Sequence, residues 1–297
     1  MSANIRKGYP IAVLATTFLA TTAIFIGYLT RTVGMAALLM ALWRNIGIVL
    51  LLLVGLALIS RRLLRLGRAN VRFFLLFGLV LALFNSAWAF SVLLNGAAAA
   101  TVLAYGATAF TVLLERLLFG ERLRLTRLAA VALSLTGVLL VARAYDASAW
   151  RLNGWGIFAG LGVALLYAVY NLMGKETARR GISSWTAQLY SFGLAGGYLL
   201  LANLVLGGGA GGGLLPRIPL TGWLALGGLA TASVLGYGLY VLSMKYLAAS
   251  VSNLIATLEP VITALLAYVI LGERLLGAQI VGAALIVAGL LLARLGE

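Results

Sequence analysis

Glu259, followed at once by Pro260, and Arg44, set midway along an apolar run, are the residues of this chain whose type and placement could do chemistry. The sequence holds seven acids, 22 Lys and Arg residues, no cysteine and no histidine. That inventory removes thiol nucleophiles, disulfides, the commonest metal ligand and the usual proton shuttle. Catalysis needs a nucleophile and a base in one pocket. One deep acid without His or Cys does not supply them, so an enzyme is disfavoured and no cofactor or metal is expected. What remains is binding: a carboxylate for a cation, a guanidinium for an anion or an ion pair, and aromatic and amide side chains around a small molecule.

The elements that position these groups follow from composition. With 63% hydrophobic and 10% charged residues and a mean hydropathy of +1.08, the chain has too little polar surface for a soluble globule of 297 residues. It reads as an all-α membrane protein. Apolar runs long enough to cross a bilayer predict ten helices, near 10–30, 35–59, 71–92, 96–115, 125–143, 154–174, 184–206, 221–243, 250–271 and 277–295. No cleaved signal peptide is expected, and the glycine-rich 207–213 stretch reads as a surface linker. The net charge of +15 reads as basic loops rather than as a nucleic-acid surface.

The sequence states its plan twice. Leu118-Phe119-Gly120-Glu121-Arg122-Leu123 returns as Ile270-Leu271-Gly272-Glu273-Arg274-Leu275, 152 residues later, and Gly137 and Gly289 keep the same offset. Two five-helix repeats are therefore expected, 1–146 and 147–297. Lys and Arg crowd the loops on the N-terminal side, Arg61, Arg62, Arg65, Arg68 and Arg72 above all, which predicts cytoplasmic termini. Since five helices per half is an odd number, Glu121 and Glu273 fall on opposite faces and the repeats are inverted in the membrane. Alternating access follows if the two halves can exchange conformations.

Polar groups at bilayer depth are costly unless paired or wet, so each is weighed singly. For Arg44 a structural ion pair or helix-end contact is favoured over substrate binding. Pro260 cannot donate its backbone bond, which predicts a break in the ninth span near Ala256. Glu259 either holds a substrate ammonium or pairs with Arg44 or Lys245; the residues leave both open. The candidate cavity lining is Asn85 and Trp88 in the third span, Tyr105 and Thr108 in the fourth, Tyr167, Tyr170 and Asn171 in the sixth, Tyr237 and Tyr240 in the eighth, and Asn253 in the ninth. For any one of them a bond between helices is the plainer role. Together, Tyr, Trp and Asn suit a zwitterion with an apolar or aromatic side chain. Glu121 and Glu273 read as caps and gate-proximal structure.

The duplicated Gly-Glu-Arg-Leu, the Leu258-Glu259-Pro260 ahead of its second copy, and Arg44 together resemble the EamA-type family of the drug/metabolite transporter superfamily, over nearly the whole chain. The position matching Pro260 in the first repeat is Thr108, so the Glu-Pro feature is present once. The resemblance implies ten helices in two inverted EamA-like repeats, export of small metabolites and a bacterial inner-membrane location; within the family the chain is most similar to aromatic amino-acid exporters of the YddG type. An exporter of aromatic and other neutral amino acids is the expectation, with a multidrug or cationic-metabolite exporter as the alternative. The expected partners are a small-molecule substrate and the lipid bilayer, with no nucleic acid and no obligate protein partner. An interaction protein would explain neither the duplication nor the mid-membrane polar residues.

Overall fold

In a computed structural model, residues 3–95, 97–120, 124–146, 154–205, 213–271 and 276–295 are described. Glu121 and Glu273, with the arginines that follow them, most of the glycine-rich linker and the residues just after the expected repeat boundary lie outside these ranges. The described residues contain helices and no strand: α1 Ala3–Gly27, α2 Ala37–Ile59, α3 Val71–Asn95, α4 Ala97–Tyr105, α5 Ala107–Phe119, α6 Leu125–Val141, α7 Gly154–Arg179, α8 Ser184–Val205, α9 Leu220–Ser243, α10 Ala249–Ala256, α11 Glu259–Leu271 and α12 Gly277–Leu295. In a solvent without water every backbone amide must find its partner within the segment, and the helix does this. Among the described residues nine spans are long and apolar enough to cross a membrane, and the shorter apolar helix Leu125–Val141 fits the remaining expected span.

Two expected spans are interrupted. The fourth breaks at Gly106 between α4 and α5, the ninth at Thr257–Leu258 between α10 and α11. At each break the ladder tightens to three-residue bonds: Gly106 N–H donates to the Leu103 carbonyl at 3.1 Å, Thr257 N–H to Leu254 at 3.1 Å and Leu258 N–H to Ile255 at 3.0 Å. In the second break the cause is Pro260, whose missing N–H leaves the Ala256 carbonyl without its helical donor. In the first no proline is present. Gly106 stands 152 residues before Leu258, so the interruptions occupy matching places.

The packing repeats with the same offset. α1 packs on α9 and α7 on α3; α3 packs on α8 and α9 on α2; α4 packs on α7 and α10 on α1; α2 meets α8 and α6 meets α12. The α6–α12 contact is backbone against backbone. A methyl group on Gly137 would come within 2.5 Å of the Gly282 carbonyl, and one on Gly289 within 2.8 Å of the Ala130 carbonyl. Between helices in lipid, such close approach provides the van der Waals contact that hydrophobic drive cannot.

One departure from this pairing bears on function. α5 packs firmly on α10, while among the described residues their counterparts α11 and α4 pack more sparsely. All eight residues of α10 are buried, whereas Glu259 and the five residues after it are only half-buried.

Candidate functional site

The interrupted helices bring the polar side chains together at mid-span. Tyr105, the last residue of α4, donates its hydroxyl to Glu259 Oε2 at 2.9 Å. Glu259 opens α11 and is half-buried. Arg44, half-buried in α2, does not pair with that carboxylate. Its Nη2 donates to Asn85 Oδ1 at 2.8 Å, and its Nε is buried without a hydrogen-bond partner. Of the two roles left open for Glu259, pairing with Arg44 or Lys245 is not seen: the acid has a phenol as its partner and the base an amide. Lys245 is exposed, its Nζ 6.0 Å from the Tyr246 ring.

An aromatic wall joins these groups. Tyr167 stacks on Phe84 at 5.1 Å and 29°, Tyr167 lies 6.2 Å from Tyr170, Tyr170 meets Tyr237 edge-on at 6.2 Å, and Tyr237 packs on Phe192 at 5.2 Å. Tyr167, Tyr170 and Asn171 share one face of α7, as their spacing predicts. Trp88 is half-buried and makes no ring contact with this wall among the described residues.

Beneath the wall, on the α5–α10 side, the polar groups close on one another. Tyr240 donates to Asn171 Oδ1 at 2.9 Å. Asn171 and Asn253 each donate an amide N–H to Thr111 Oγ1 at 3.3 Å. Thr111 donates its own proton to the Ala107 carbonyl at 2.7 Å. A hydroxyl has one proton and two lone pairs, so Thr111 is saturated, and α5, α7 and α10 meet on a single atom. Thr108, one turn earlier, is fully buried with its hydroxyl unpartnered.

Three further polar contacts seal the same side, and sequence reasoning did not assign them. Glu115 Oε1 accepts from the Ala249 N–H at 2.7 Å, so a carboxylate on α5 caps α10, whose own N-cap residue, Ala248, has no side chain to do so. Arg127 stands 3.9 Å from the other oxygen of Glu115. Lys175, on α7, donates to the carbonyls of Met244 and Leu247 at 2.9 and 2.6 Å, closing the α9–α10 turn. Glu115 falls at helical spacing from Thr108 and Thr111, a signal that a search for acids on the lining face would have found.

The arrangement therefore has a half-open tier with one acid, one base and aromatic walls, above a sealed polar tier. Its carboxylate, guanidinium and rings are groups that can recognise a small molecule.

Comparison with known proteins points the same way. A solved crystal structure covers 98% of this chain and 98% of its own, with a TM-score of 0.79 at 22% identity, which establishes a shared fold. An uncharacterized transporter of Archaeoglobus fulgidus is 30% identical over 159 residues, 53% of this chain and 53% of that protein. The chain thus matches about half the length of that curated relative. The model of the EamA-like transporter family matches twice, over residues 6–143 and 154–295, and the chain belongs to that family.

Proposed function

We propose that this EamA-family membrane transporter exports amino acids, aromatic and other neutral ones, by alternating access between two inverted repeats. The observation that carries this reading is that the half-buried Arg44 and the half-buried Glu259 are each held by a neutral partner, Asn85 and Tyr105, rather than by each other, beside the tyrosine wall. Glu259 takes the substrate ammonium in place of the Tyr105 hydroxyl, Arg44 takes the carboxylate in place of the Asn85 amide, and the rings of Tyr167, Tyr170 and Tyr237 receive the side chain. Arg44 accordingly changes role from the structural one that its position alone favoured. The sealed α5–α10 side and the half-buried α11 correspond, with cytoplasmic termini in a bacterial inner membrane, to an outward-open state.

A second reading is supported by Glu259 and the rings alone: an organic cation held by the carboxylate and by cation–π contact, with Arg44 idle. Counterflow in liposomes separates the two. Phenylalanine on both sides of the membrane should drive labelled phenylalanine exchange, and Glu259→Gln should reduce it about ten- to hundredfold, the equivalent of a lost charge-assisted contact. If Glu259→Gln exchanges phenylalanine at the wild-type rate and loses organic-cation exchange, the cationic reading replaces this one.

A further inference from the structure

The connection between α2 and α3 carries Arg61, Arg62, Arg65 and Arg68, and the first turn of α3 adds Arg72, all five exposed. Among the described residues none of them has an acidic partner within ion-pair distance; Glu176, the acid at the end of α7, is held by Arg180 at 2.9 Å and Arg179 at 3.9 Å. Arg180 in turn donates to Asn70 Oδ1 at 3.2 Å and lies over the Phe73 ring at 4.4 Å, which adds a further guanidinium beside the loop. The charge is thus concentrated and unneutralised.

The segment is also folded in a way that steering topology does not require. Residues Arg61–Leu64 and Arg68–Asn70 form 3-10 turns. Thr186 Oγ1 donates to the Leu63 carbonyl at 2.7 Å and the Tyr190 hydroxyl to the Leu64 carbonyl at 2.7 Å, tying the first turn onto α8. Directly under it lies a cavity of about 260 Å³ lined by Leu53, Leu64, Leu189, Tyr190, Gly193 and Leu194. Leu53 is 42% exposed on the lipid side of α2. Basic side chains in one helical turn and an apolar groove beneath that same turn match the two parts of a phospholipid.

We propose that this corner binds one anionic phospholipid, its phosphate held by Arg61, Arg62 and Arg65 and one acyl chain laid in the groove beside Gly193. Guanidinium and phosphate meet through paired N–H donors, and the arginines here have no competing carboxylate. A phosphatidylcholine head carries its own cation beside the phosphate and gains far less from the arginines. Free phosphate lacks the chain that the groove receives.

The test is lipid retention by the full-length protein in mild detergent, read by native mass spectrometry with phosphatidylglycerol or phosphatidylcholine added. One phosphatidylglycerol should remain bound where phosphatidylcholine is lost. Each arginine at a membrane surface contributes about fivefold in affinity, so the triple variant Arg61→Gln/Arg62→Gln/Arg65→Gln should weaken retention roughly a hundredfold. Arg217→Gln, on another connection, should leave it unchanged. A Cβ on Gly193 meets only Val49 Cγ2 at an ordinary 3.6 Å, so Gly193→Leu should fold and fill the groove, again lowering retention; Leu53→Trp, at the lipid-facing rim, gives a second way to block it. Equal retention of the two lipids, wild-type retention by the arginine variant, or wild-type retention by both groove variants would overturn the proposal.

Discussion

Thr111 shows how much a single hydroxyl can hold in this protein. It accepts from Asn171 and Asn253 and donates to Ala107, so Thr111→Val keeps the shape and removes two interhelical bonds. At about 0.6 to 2 kcal/mol for such a bond in a membrane protein, the loss should total roughly 1–4 kcal/mol, seen as a lower midpoint of thermal unfolding in detergent. A midpoint equal to wild type would mean that α5, α7 and α10 are held by packing alone. The residue-scale reading of the site was partly legible beforehand. Tyr167, Tyr170 and Asn171 announce themselves by helical spacing, and Glu259 by being an acid beside a proline. Thr111 does not, because a threonine in an apolar helix usually just bonds back to its own turn, and its two acceptor contacts come from helices 60 and 142 residues away. The phenol on Glu259 and the amide on Arg44 were hidden for the same reason.

Among the elements, the interruptions and the glycine contact carry most of the design. Pro260 marks one break openly. The other, at Gly106, has no such marker, since glycines in membrane helices serve packing far more often than they end a helix. Its place becomes legible only against the 152-residue offset. The α6–α12 contact gives a sharp expectation: Gly137→Leu sets a side chain against the Gly282 backbone, which cannot swing away as a side chain would. Overpacking of that kind should cost about 3 kcal/mol or more. Gly162→Leu, where an added Cβ meets nothing within 4 Å, should be neutral. The pair is compared by thermal unfolding; equal midpoints would show that the two helices separate without loss.

For the molecule as a whole, the packing pairs exchange partners under a shift of 152 residues, with exceptions. α5 packs on α10 more closely than α4 on α11, and of the residues that close the first pair Thr111 is matched by Thr263, whereas Glu115 and Lys175 are matched by Ala267 and Ala23. The two places are therefore chemically unequal even though the scaffold repeats. If the repeats are inverted, cysteines placed singly at 121 and 273 in this cysteine-free chain will label from opposite faces of intact vesicles. Labelling from one face would require a different arrangement of the halves and a different route for the substrate.

The membrane-embedded all-helical class, the spans and the duplication were determined by the sequence alone, because hydrophobic length and a repeated motif are properties of the chain itself and lipid leaves the backbone no alternative to the helix. Tertiary structure decided which polar groups face one another. In lipid, buried donors and acceptors find whichever partner the packing brings within 3 Å or so, and that depends on where Gly106 and Pro260 interrupt two helices and on how closely glycines let the others approach.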